Sequence, residues 1–267
     1  MGRLEELLEK LWGDYARINP QAERIHGLLT QRGEQIINDH IAFRTFNIPK
    51  ININVLAKTF VSFGYQPKGE YQFPEKKLFA RHFEHPDQNN PKIFISELKL
   101  EECSQDLQNI VKGLAAEIPE AKTKERDFSV SGAAWQRIPW AVYEKLRKES
   151  EYASWVSAFG FRANHFTVLV NSLKSFKTLQ ELNEFLKKNG FRLNASGGEI
   201  KGSPQEFLEQ SSTLADPVEV GFADRREKIP SCYYEFAWRY PLPSGKLFQG
   251  FVAQSANKIF ESTDKNK

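Results

Sequence analysis

Cysteine, methionine and histidine are scarce in this chain of 267 residues, at two, one and five copies. Cys103 and Cys232 lie far apart and outside any CxxC or Cys/His spacing, which excludes a disulfide framework and a zinc ribbon and reads both as buried, idle thiols. No segment approaches the ~20 consecutive apolar residues of a membrane span. The opening MGRLEELLEKLW lacks an apolar signal-type stretch, so no membrane partner is expected and the cytoplasm is the default location. An excess of one charge is also missing. The 37 Lys and Arg against 34 Asp and Glu leave +3, too small and too evenly spread to indicate nucleic acid. There is no Gly-rich nucleotide fingerprint and no GxSxG elbow. SGG at 196–198 and GSP at 202–204 lack the strand and helix context of a phosphate loop and read as turns.

What is present is core-forming material: 40% hydrophobic residues, with 21 Phe, 8 Tyr and 5 Trp, and 27% charged. Such a chain folds, and its length suits one domain or one duplicated domain. Residues 1–31 read as N-terminal helices, with Leu4, Leu7, Leu8, Leu11 and Trp12 at helical spacing and Pro20 dividing the stretch. Residues 36–100 read as strand, helix, strand, strand, strand, with the helix over Val55–Phe63 and Gly64 at its end. Residues 101–160, carrying Trp135, Trp140 and Trp155, read as an inserted helical layer that caps one side of a sheet. Residues 161–255 repeat the first order, from ANHFTVLVN through the helix LQELNEFLKKNG to SCYYEFAWRYPL. The expected fold is α+β, a duplicated βαβββ cupped sheet within a single domain spanning 1–267. The tail after Gly250 begins apolar and ends polar, and its last residues are expected to fray.

Both first strands carry a histidine at nearly the same point, His40 in DHIAF and His165 in NHFTV, and both last strands carry a glutamate, Glu97 in SELKL and Glu235 in YYEFAW. Pairing of the halves would bring these four toward a common centre. A strand that spends an inward position on His must satisfy both ring nitrogens, and a metal with an acceptor behind the ring does so. A carboxylate within so aromatic a strand as the one holding Glu235 needs a compensating charge, from a metal or an arginine. Two imidazoles and one carboxylate match the open set of non-haem iron(II) oxygenases, with zinc and manganese as alternatives. Arg44 shares the face of His40 and has two readings, a fork that reaches back to clasp the carboxylate of a metal-bound ligand or an ordinary surface ion pair. Glu97 has three readings, a fourth ligand, an acceptor behind a ligand or a salt-bridge partner, of which the last two together are preferred. His82 and His85, three apart on a strand, fall on opposite faces and read as structural.

With DHIAFRTF, ANHFTVLVN and SCYYEFAWRY in this order, the chain resembles the 2-oxoadipate dioxygenase/decarboxylase family, also called 2-hydroxyglutarate synthases, within the vicinal oxygen chelate superfamily. The resemblance spans nearly the whole sequence. It implies iron(II) on His40, His165 and Glu235, and Arg44 as the substrate-binding arginine. It further implies a 2-oxo acid and dioxygen as reactants, and a 2-hydroxy acid and carbon dioxide as products. Two rivals keep the scaffold: a glyoxalase-like isomerase, lyase or hydrolase using a metal as Lewis acid, and a metal-free ligand-binding protein. Nothing in the sequence names an oligomeric state.

Overall fold

The structure is a computed structural model and describes residues 3–253 and 258–263. The leucine stripe forms α1 (Arg3–Ile18), and Pro20, whose missing N–H costs nothing in a first turn, starts α2 (Pro20–Gln31). The first half follows as β1 (Asn38–Phe46), α3 (Ile53–Val61), β2 (Gln66–Phe73), β3 (Leu78–Glu84) and β4 (Lys92–Leu98). The helix sits slightly earlier than its apolar spacing predicts, because the Asn52 side chain accepts from Val55 N and caps it there.

Between the halves lie α4 (Gln105–Glu117), α5 (Trp140–Glu149) and α6 (Glu151–Phe159), while residues 118–139 hold only short 3-10 turns and irregular chain. The second half contains β5 (Ala163–Leu169), α7 (Leu179–Lys188), β6 (Lys201–Ser203), β7 (Leu208–Ser212) and, after an excursion, β10 (Tyr233–Arg239). The excursion is a separate hairpin, β8 (Pro217–Gly221) with β9 (Arg226–Pro230), where the sequence pattern predicts only undivided extended chain. GSP is not wholly a turn either: Gly202 and Ser203 close β6 before Pro204 opens a 3-10 turn.

Eight strands form one sheet in the order β2-β3-β4-β1-β5-β10-β7-β6. The first strands of the two halves, β1 and β5, meet antiparallel at its middle, and each last strand, β4 or β10, runs parallel to the first strand of its own half. This is the expected duplicated, cupped arrangement. Alternation then sorts the side chains. Phe43 faces outward from β1 onto Phe60 of α3, ring centroids 5.3 Å apart, and burying such a ring is worth roughly 1.5–3 kcal/mol. His40, Ala42 and Arg44 take the inner face. Among the described residues, no helix is long and apolar enough to cross a membrane. Cys103 and Cys232 are buried and free.

Candidate metal centre

The seam between the halves carries the polar cluster. Ala42 pairs with His165 and His40 with Thr167 across β1 and β5, while Thr167 pairs with Glu235 on the other side. His40, His165 and Glu235 therefore project from three adjacent strands onto one face, all essentially inaccessible to solvent at 2%, 4% and 1% exposure. Their atoms converge. His40 Nε2 lies 3.4 Å from His165 Nε2 and 3.4 Å from Glu235 Oε1, and His165 Nε2 lies 3.3 Å from Glu235 Oε2.

The pairing of β1 with β5 is interrupted twice. The register steps from Asn38 to His40 and passes over Asp39; opposite Ala42 and Phe43 it passes over Asn164. Neighbours on a regular strand point to opposite faces, and an unpaired extra residue releases that constraint. Both skipped residues immediately precede a histidine, and each uses its freedom in the same way. Asp39 Oδ1 meets His40 Nδ1 at 2.8 Å, and Asn164 Oδ1 meets His165 Nδ1 at 3.2 Å. These acceptors place a proton on each Nδ1 and leave each Nε2 with its lone pair facing the other two groups.

Three groups able to donate lone pairs thus face one point in a buried site; without a cation, a proton on Glu235 and the Thr167 hydroxyl, 3.1 Å from His40 Nε2, relieve their repulsion. One donor atom from each of the three residues lies within 4.8 Å of the other two, close enough for a single ion to be shared among them. The donor set therefore fits a divalent ion. In its absence burial pushes the Glu235 carboxyl up to about 8, although hydrogen bonds from Gln210 and Thr167 pull the other way. Burial likewise lowers both imidazoles, His165 well below its ordinary value, so that both rings are neutral at pH 7.

Around this point the site is narrowly lined. Tyr233 stacks on the His165 ring at 4.5 Å, Phe251 meets the His40 ring edge-on at 4.8 Å, and Gln210 Nε2 donates to Glu235 Oε1 at 2.6 Å. The remaining cavity, bounded further by Phe94 and Ile259, measures about 20 Å³. The Tyr233 hydroxyl and the Gln210 carboxamide oxygen are buried with no hydrogen-bond partner, so the pocket holds a donor and an acceptor that are not used within the protein. Sequence reading found none of Gln210, Tyr233, Phe251 and Ile259. Tyr233 alone carried a signal, being on the face of Glu235 in an alternating strand.

Arg44 is buried beside this cavity. Its Nη1 donates to Glu151 Oε1 at 3.2 Å and its Nη2 to Thr263 Oγ1 at 3.1 Å, with the guanidinium over the rings of Tyr152 and Trp155. Glu97 is not brought to the cluster. It pairs with Thr45, hence on the opposite face from Arg44, and accepts from Ile53 N at the start of α3 at 2.9 Å. The residue that matches Glu235 by register is Phe94, paired with Ala42 two positions after His40, as Glu235 is paired with Thr167 two positions after His165. His82 bonds Tyr71 and Glu84, and His85 bonds the Phe63 carbonyl, both away from the ligands.

Known proteins share this architecture. A family model for 2-oxoadipate dioxygenase/decarboxylase matches residues 7–248. The curated 2-oxoadipate dioxygenase/decarboxylase, chloroplastic/amyloplastic, of Oryza sativa subsp. japonica is 37% identical over 278 residues, covering 95% of this chain and 76% of that protein. The crystal structure of the hydroxyglutarate synthase from Oryza sativa in complex with 2-oxoadipate superposes with a TM-score of 0.93 at 35% identity, over 98% of this chain and 92% of that one. A structure from Shewanella frigidimarina gives a TM-score of 0.90 at 52% identity, over 95% of this chain and 99% of that one. A family match across nearly the whole sequence, on a sheet that gathers two histidines and a glutamate at its seam, places the chain in the 2-oxoadipate dioxygenase/decarboxylase family.

Proposed function

We propose that this protein is an iron(II)-dependent dioxygenase and decarboxylase that converts 2-oxoadipate and dioxygen to 2-hydroxyglutarate and carbon dioxide, with a cytoplasmic location. The observation that carries the reading is the convergence of two buried Nε2 lone pairs and a buried carboxylate whose outer sides are already engaged. When bound by His40, His165 and Glu235, iron(II) would supply both the Lewis acidity that chelates a 2-oxo acid and the electrons that dioxygen activation requires. A dication held by two neutral imidazoles and one carboxylate keeps a net positive charge, which suits an anionic substrate.

The protein's own residues account for orientation and exclusion. Asp39 and Asn164 fix the ring tautomers, and Gln210 fixes the Glu235 carboxylate. Phe94, Phe251 and Ile259 keep water from the reacting atoms. Arg44 takes a substrate carboxylate with its planar fork, while the Tyr233 hydroxyl offers a proton to a substrate oxygen within the cavity. The stoichiometry closes without a second organic acid: the C1–C2 bond is broken, C1 leaves as carbon dioxide with its own oxygens, and the two atoms of dioxygen end in the new carboxylate at the former keto carbon and in the new hydroxyl.

The test is anaerobic loading with iron(II), manganese(II) or zinc(II), followed by oxygen uptake with a series of 2-oxo acids. The expected result is iron-dependent uptake that is greatest with 2-oxoadipate and matched one-to-one by carbon dioxide. Turnover supported equally by zinc, or without oxygen consumption, would refute the reading.

A further inference from the structure

The cavity at the ligands, about 20 Å³, has room for one water-sized group and no six-carbon acid. A much larger cleft of about 360 Å³ lies on the other side of Arg44. It is lined by Glu151, Tyr152, Trp155 and Thr263, each of which also contacts the Arg44 guanidinium. Its lining carries Lys76 and Lys77, from the turn between β2 and β3, and Arg147 and Lys148, from the end of α5, with the carboxylates Glu75 and Glu149 among them. Tyr233, which lines the metal cavity, lies within electrostatic reach of both Arg44 and Glu151. The arginine therefore stands between the large cleft and the small cavity.

We propose that this cleft is the approach for the dicarboxylate substrate, and that the Glu151 carboxylate is an internal stand-in on Arg44 which the incoming substrate carboxylate displaces. The proposal rests on the reading of Arg44 as the substrate anchor.

Burial decides which partner moves. The Arg44 side chain is 1% exposed and the Glu151 side chain 27%. A guanidinium left buried without an anion is costly, whereas a carboxylate at the cleft surface is rehydrated when released. Exchanging one carboxylate for another keeps Arg44 compensated throughout. The contact also has the geometry of an exchangeable one, a single bond at 3.2 Å. Arg239, buried as deeply, is by contrast held to Asp39 by two bonds at 2.5 and 2.9 Å. Glu151 is the first residue of α6 with Ser150 as its cap, so the helix start stays anchored when the carboxylate swings outward.

The experiment follows binding of 2-oxoadipate to the metal-loaded protein without oxygen, read by tryptophan fluorescence, with Trp155→Phe identifying the responding ring. Glu151→Gln keeps the shape and removes the competing charge, and it should tighten binding roughly two- to fivefold. Glu151→Asp, which retains the charge with a shorter reach, should tighten it less and serves if the glutamine variant does not fold. Lys76→Glu with Lys77→Glu should slow association about tenfold and flatten its dependence on salt. Unchanged or weaker binding in Glu151→Gln, with Arg44→Ala still impaired, would overturn the exchange. Association of the lysine pair variant at the parent rate would overturn the approach. If Arg44→Ala binds 2-oxoadipate as the parent does, the underlying reading of Arg44 has failed instead.

Discussion

Arg239 and Asp39, from strands belonging to different halves, form a two-point ion pair at 2.5 and 2.9 Å with both side chains 1% exposed. Burial alone would raise the Asp39 carboxyl, but the guanidinium outweighs it and holds the group well below the usual carboxylate range. Asp39 is therefore a permanent anion behind His40. Arg239 also binds the carbonyls of Phe248 and Gly250, which sets Phe251 against the His40 ring. Arg239→Met leaves that anion buried and unpaired, so it should cost about 3–5 kcal/mol of stability. It should also weaken metal binding roughly 10- to 100-fold through the orienting carboxylate. Denaturant unfolding and competition with a metal indicator measure the two losses.

The pH response of the metal-free protein follows from Glu235. Its folded value of about 8 lies above its ordinary 4.5, so the folded state holds a proton that the unfolded state has lost across that window. Stability of the apoprotein should then fall as pH rises from 4.5 to 8, by a total on the order of 3–5 kcal/mol. Glu235→Gln should flatten that slope, as checked by thermal unfolding at several pH values. Metal binding at pH 7 should expel about one proton, which calorimetry in buffers of different ionisation enthalpy would detect. Binding should therefore tighten as pH rises through 8.

Arg44→Ala should lower kcat/KM for a 2-oxo dicarboxylate by about ten- to a hundredfold or more, given the ~1.5–3 kcal/mol of a charge-assisted hydrogen bond. Iron occupancy should persist, and Arg44→Lys should recover only part of the loss. Iron lost together with activity would instead make Arg44 a support of the metal strand.

Glu97 gives the opposite pattern. Its carboxylate accepts an N–H from the first turn of α3, so Glu97→Ala should cost about 0.5–2 kcal/mol of stability. Metal content and oxygen uptake should match the parent.

The fold was legible because its two signals are local. Alternation marks the strands and 3.6-residue spacing marks α1, α3 and α7, and their order appears twice. The three residues gathered at the seam were legible because His40 and His165 occupy equivalent places in repeated strands. Glu97 shows where that reasoning stops: SELKL and YYEFAW look alike as strings, yet pairing aligns Glu235 with Phe94. Parity is fixed by register, which no single strand reveals. Gln210, Phe251 and Ile259 reach the site through long-range packing with no periodic trace. The Ile259–Thr263 stretch lies in a tail read as apolar, then polar, then frayed. Its final residues, 264–267, lie outside the described ones.

The skipped residues Asp39 and Asn164 have a consequence in terms of counting. Each of the two histidine strands, β1 and β5, contains one residue more than its partner pairs with, and that surplus lets an aspartate or asparagine sit behind the histidine that follows it. A substitution at either place alters one orienting bond. Deleting either skipped residue restores strict alternation with the pairing unchanged: His40 stays opposite Thr167 and His165 opposite Ala42, so every paired residue keeps its face and only the group behind one histidine is lost. The surplus residue thus serves the ring that follows it and nothing else in the register.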